Sequence, residues 1–142
     1  MTARGVHRLA EAWAKAQDAY DRGDISQHQW KIIYAVQRLS ERRHYRELWK
    51  LIVDVFSSDP SPAVTEILAA GPLEDLIWED GAEVLPEIEA LAARNATFVD
   101  LLSGVWLPRA TDPVTRRYEA LGCTLVDGPA PPNNRMERAR EP

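Results

Sequence analysis

The chain has 142 residues, a net charge of −5, 45% hydrophobic and 27% charged residues, the make-up of one ordinary globular domain. Its single cysteine, Cys123, excludes an internal disulfide framework and fits a reducing cytoplasm. No stretch approaches the roughly 20 apolar residues of a membrane span, and Arg4, His7, Arg8, Glu11 and Lys15 interrupt the N-terminal segment, so we expect a cytoplasmic protein with no membrane partner.

Helical periodicity dominates. Val6, Leu9, Ala10, Trp13, Ala16 and Tyr20 form one apolar stripe, which predicts a helix over 5–21, closed by Gly23 in a left-handed cap. Ser26 and Gln29 have capping-box spacing, with Ile25 and Trp30 placed as a hydrophobic staple. The second helix therefore starts near Ser26 and carries Trp30, Ile33, Tyr34 and Leu39; its end near Ser40 is not marked. Tyr45, Leu48, Trp49, Ile52, Val55 and Phe56 line a third, stopped by the Ser-Ser-Asp-Pro-Ser-Pro run at 57–62. Ser61 and Pro62 read as N-cap and N1 of a short helix that runs to Gly71.

Gly71 is expected to end that helix with φ above zero, and Pro72 to open the next, with Leu73, Leu76 and Ile77 inward and an end at Gly81. Val84, Leu85, Ile88 and Leu91 define a further helix, with Pro86 tolerated only in its first turn. Phe98, Leu101 and Leu102 make one more, closed by Gly104, and Asp112-Pro113 start a last one that Gly122 ends. Cys123 to Val126 is too short and isolated to argue a sheet. The expected fold is all-α: a compact bundle of seven or eight short helices over residues 5–122, which could stack in pairs as in HEAT-like arrays. Residues 127–142, rich in Pro, Asn and charge, read as a disordered tail.

Charge is unevenly spread. From Leu51 to Ala93 there is no Lys, Arg or His, but there are ten Asp and Glu. Such a segment can face a partner or the basic part of its own chain. Arg38, Arg42, Arg46 and Lys50 recur every four residues and would form a basic stripe on an uninterrupted helix. With a pI near 5.2 and no recognition motif, nucleic acid is not the expected partner.

The residues that could carry chemistry are Glu74, Asp75, Glu79, Asp80 and Glu83. Paired carboxylates suit acid–base work only at a fixed separation in a dry cleft; on helix termini they more commonly stabilise the dipole. No metal site and no cofactor are expected. There is no EF-hand loop, no zinc-like spacing among His7, His28 and His44, and a lone Glu-x-x-His at 41–44. No nucleophile elbow or phosphate loop is present, and Cys123 reads as a buried hydrophobe. Trp13, Trp30 and Trp49 lie in register with the core stripes. Trp78 falls off the Leu73/Leu76/Ile77 face beside Glu79 and Asp80, where an exposed or half-exposed indole would anchor an interface. Trp106 could fold back over the preceding helix.

Trp13, the run from His44 to Ile52, Ala69-Ala70-Gly71-Pro72-Leu73-Glu74-Asp75-Leu76, Gly81, Ile88-Glu89, and Phe98 through Leu101-Leu102-Ser103-Gly104-Val105-Trp106 together resemble a small bacterial family classed as a domain of unknown function. The likeness covers about residues 10–107. It implies a compact helical domain and no assigned activity. The functional expectation is a non-enzymatic interaction module, immunity-type or antitoxin-like, that offers Glu74, Asp75, Trp78, Glu79, Asp80 and Glu83 to a basic protein, with Gly71, Pro72 and Leu73 as a structural turn. The alternative is a carboxylate-based or metal-dependent hydrolase. The oligomeric state is not set by the sequence.

Overall fold

The structure is a computed structural model that describes residues 1–127. The tail expected over 127–142 therefore lies outside the described residues, apart from Asp127. The chain is mostly helical, with one small two-stranded sheet, and it divides into two compact units at Leu68/Ala69.

The first unit holds α1 (Ala3–Arg22), α2 (Gln27–Glu41), α3 (Tyr45–Ser57) and α4 (Pro62–Leu68). The Thr2 hydroxyl accepts from the Gly5 amide at 2.9 Å to start α1. The expected capping box starts α2, with Ser26 Oγ accepting from the Gln29 amide and Gln29 Oε1 accepting from the Ser26 amide. Ser61 Oγ accepts from the Val64 amide to start α4 and donates to Asp18 Oδ1 at 2.7 Å. Gly23 ends α1 with φ +82°.

The end of α2 uses the same closing geometry without a glycine. The His44 amide donates to the Leu39 carbonyl at 2.7 Å and the Arg43 amide to that of Ser40, with Arg43 at φ +60°. This is the Schellman pattern with arginine in the left-handed position, and it explains why no residue type marks the break. It also corrects the basic stripe: Arg38 lies on α2, Arg42 caps it, and Arg46 and Lys50 lie on α3, where Lys50 pairs with Asp54 at 2.6 Å.

Helix α1 packs against α2, α3 and α4. Trp13, Ala16, Ile33, Leu48, Leu51, Ile52 and Leu68 are buried to within 2%. Trp30 and Trp49, expected in the core, are half-buried. Trp30 stands in a surface cluster, with Tyr20 edge-on at 5.6 Å and Tyr34 stacked at 5.9 Å.

The second unit opens with a π-helical segment, Ala69–Leu73, which leads directly into α5 (Glu74–Arg94). Here the expected turn is corrected. Gly71 is not among the residues of positive φ, and Pro72 sits inside helical backbone rather than opening a new helix. Proline has no amide to donate and crowds the carbonyl four residues back, and a wider π turn relieves both problems. Leu73 and Leu76 are fully buried, as expected. The break expected at Gly81 is a kink instead: Asp80 leaves helical geometry (φ −136°, ψ 27°) and α5 continues to Arg94, with Pro86 in its interior beyond a first turn.

Asn95 and Asp112 cap α6 (Ala96–Leu102) and α7 (Pro113–Leu121) through the Phe98 and Thr115 amides. Gly122 ends α7 at φ +118°. The expectation of no strand is overturned. β1 (Trp106–Pro108) and β2 (Thr124–Val126) pair in parallel, Trp106 opposite Thr124 and Pro108 opposite Val126. Parallel strands need a crossover, and α7 supplies it, so neither strand has a neighbour in sequence that would announce it.

Candidate functional site

The site is built where α5 meets β1. In the ladder, the Thr124 amide donates to the Val105 carbonyl at 2.9 Å and the Arg109 amide to the Val126 carbonyl at 3.1 Å. Residues 105, 107 and 109 thus address β2, and Trp106 turns its own N–H and C=O to the opposite edge. Glu74 Oε1 accepts from the Trp106 amide there at 2.6 Å, and Trp78 Nε1 donates to the Trp106 carbonyl at 3.2 Å. Residues four apart share a helix face, so one face of α5 stands in for a third strand. The next outward position on β1 is Pro108, which has no N–H to offer. An exposed strand edge is a pairing hazard, and on β1 these three residues close it.

The close approach around this point depends on Gly104. A Cβ there would lie 2.9 Å from the Ala69 Cβ, nearer than carbon atoms tolerate. Thr124 Oγ1 donates to the Ser103 carbonyl at 2.9 Å and ties β2 to the same corner. On the far side of the Asp80 kink, the Tyr118 hydroxyl donates to the Gly81 carbonyl at 2.6 Å. Burial pushes the Tyr118 hydroxyl up, helped by the nearby charges of Glu89 and Asp80. Burial alone pushes the Cys123 thiol up to about 12, so it stays protonated at neutral pH, as the hydrophobe reading expects.

The residues singled out in the sequence take separate positions. Glu74 is 1% exposed, in the first turn of α5, and its carboxylate holds the strand. Asp75 is half-buried, as is Asp80 at the kink, while Glu79 and Glu83 are exposed. Trp78 is half-buried with its indole N–H on the Trp106 carbonyl, where it supports the strand. Among the described residues no group of three or more His, Cys, Asp or Glu could hold a metal ion. No helix of the described residues is long and apolar enough to cross a membrane.

The indole that does face outward is Trp106. Its side chain is 53% exposed. Side chains alternate along a strand, so Trp106 and Pro108 share one face, with Thr124 and Val126 beside them across the register, while Leu107 is buried on the other. The Gly104-Val105-Trp106 run stands out in the sequence, but its use does not: Trp106-Leu107-Pro108 is too short and too uniformly apolar to show an alternation.

The arrangement is that of a mostly helical domain with a buried carboxylate as a structural latch and an aromatic side chain presented on a fixed backbone. The chain belongs to a family of unknown function (DUF6869), whose match spans residues 10–124. That span includes Ala69, Glu74, Trp78, Gly104, Trp106 and Thr124, the residues that build the latch. Comparison with curated proteins and with solved structures finds no match.

Proposed function

We propose that this chain is a non-enzymatic protein-interaction module, immunity-type or antitoxin-like, that holds a basic partner in the bacterial cytoplasm, with residues 5–122 as one functional domain. The contact surface is the outer face of β1 and β2 with the exposed carboxylates of α5. One observation carries the reading: the Trp106 indole is 53% exposed while both polar groups of its backbone are fixed by α5. An aromatic side chain held out on a pinned strand gives contact area at a small entropic cost, the property of interface anchors. Glu79 and Glu83 then contribute charge at the rim, and Glu74 and Trp78 position the anchor from behind.

The hydrolase alternative has less support. It needs several carboxylates converging on substrate, and the Glu74 oxygen at 2.6 Å from the Trp106 amide serves the fold. The test is affinity purification from the native host with wild type and Trp106→Ala in parallel, at low and high salt. We expect a stoichiometric protein with wild type that is largely lost with the variant. Recovery of no stoichiometric partner, or equal recovery by both, would reject the proposal.

A further inference from the structure

We infer that the partner seats an arginine-bearing segment on the Trp106 face, guanidinium against indole; this rests on the interaction-module reading and gives it a ligand chemistry. The face itself is uncharged: Trp106, Pro108, Thr124 and Val126. The unit that carries it is acidic. Residues 69–127 contain eleven Asp and Glu against four Arg. Two of those arginines are already paired, Arg117 with Glu89 and Arg109 with Asp127 at 2.8 Å. Exposed Glu79 follows Trp78, the residue bonded to the Trp106 carbonyl.

Each class of occupant can be judged against that field. Phosphate or an acidic peptide meets like charge. A wholly apolar segment would strip water from carboxylates and give nothing back. A lysine answers the charge, but its ammonium is a compact, strongly hydrated point. Arginine alone does both things required, because its planar, weakly hydrated guanidinium stacks on an indole while its N–H groups face carboxylates.

The experiment titrates the full chain with hexa-arginine and hexa-lysine peptides at low salt, following the five indole N–H signals by NMR, with Trp106→Phe assigning the relevant one. We expect hexa-arginine to move the Trp106 signal saturably and to bind more tightly than hexa-lysine. Trp106→Ala should weaken hexa-arginine about two- to fivefold, the range of an exposed cation–π contact, and Glu79→Gln with Glu83→Gln should weaken both peptides. Circular dichroism confirms that the variants fold. A Trp106 signal that stays in place, or equal binding by wild type and Trp106→Ala, overturns the inference. If a host partner is captured through Trp106 but hexa-arginine does not displace it, the arginine inference falls and the module reading stands.

Discussion

In the first unit the helices start on residues that can be recognised from their immediate neighbours: Thr2 for α1, Ser26 with Gln29 for α2, Ser61 for α4. The second unit has such caps too, at Asn95 and Asp112, but its centre is joined by contacts between residues 28 to 37 apart: Trp78 and Glu74 on Trp106, and Tyr118 on Gly81. Charge follows the same division. Residues 1–68 carry ten Lys and Arg against nine Asp and Glu, while residues 69–127 carry four Arg against eleven acids. Local signals suffice to make a near-neutral bundle of helices. The acidic unit instead devotes a buried carboxylate and an indole to holding one short strand, and the residue so held is the one that faces outward.

The largest expected effects test whether the two units share one feature, a fully excluded core. Leu48 and Leu73 are both at 0% exposure. Leu48→Ala and Leu73→Ala should each lower stability by about 2–5 kcal/mol in urea unfolding. A loss below about 1 kcal/mol for Leu73→Ala alone would mean that the π segment packs loosely and that the second unit is held chiefly by its polar contacts.

The same division sets how much could be read in advance. The starts at Ser26, Ser61 and Asp112, the left-handed Gly23, the helix end at Gly122 and the burial of Leu73 and Leu76 were legible because each depends on three to five consecutive residues. The end of α2 was not, since Arg43 takes the conformation that glycine normally marks. The π turn reads as a helix break, because Gly-Pro is the common signature of a break and only packing selects the wider turn. The strands were invisible because three residues carry no periodicity and their pairing is set by a crossover. The expected HEAT-like stacking has no observation to carry it: α1 lies against α2, α3 and α4 alike. At the candidate site the acids were found, but the role of Glu74 depends on a strand 32 residues away.

The latch supplies the next contrast. Glu74→Leu leaves the Trp106 amide without its acceptor and should cost about 1–3 kcal/mol, the penalty for a buried donor left unsatisfied. Glu74→Gln retains a carbonyl oxygen in the same place and should cost less. Amide exchange at Trp106 should speed up strongly in the first variant and weakly in the second. Unchanged protection in Glu74→Leu would show that the carboxylate is dispensable and that β2 alone holds the strand.

Two glycines separate backbone strain from steric contact. Gly23, at φ +82°, has nothing within 4 Å of its missing Cβ, whereas the missing Cβ of Gly104 would meet Ala69 at 2.9 Å. Gly104→Ala should cost about 1–3 kcal/mol by overpacking, and Ala69→Gly in the same chain should recover most of it. Gly23→Ala should cost about 1–2 kcal/mol through its left-handed backbone, and trimming a neighbour cannot relieve that. A double-mutant cycle on residues 69 and 104 measures the coupling directly; additive losses would mean that the corner opens without resistance.

The smallest expected effect on stability falls on one of the carboxylates that the sequence offers for chemistry. Glu79 is exposed on α5, five residues beyond the buried Glu74, and glutamine keeps its size and a polar end. Glu79→Gln should therefore change unfolding free energy by no more than about 0.5 kcal/mol, the range of surface substitutions, while Glu74→Leu is felt throughout the corner. The same Glu79→Gln variant should slow association with a basic partner and flatten its salt dependence, since rim charges act mainly on the encounter rate. A stability loss above 1 kcal/mol would place Glu79 among the residues that hold the fold and would remove it from the proposed surface. Unchanged stability together with an unchanged association rate would leave Trp106 as the anchor and deny the acidic rim any part in recognition.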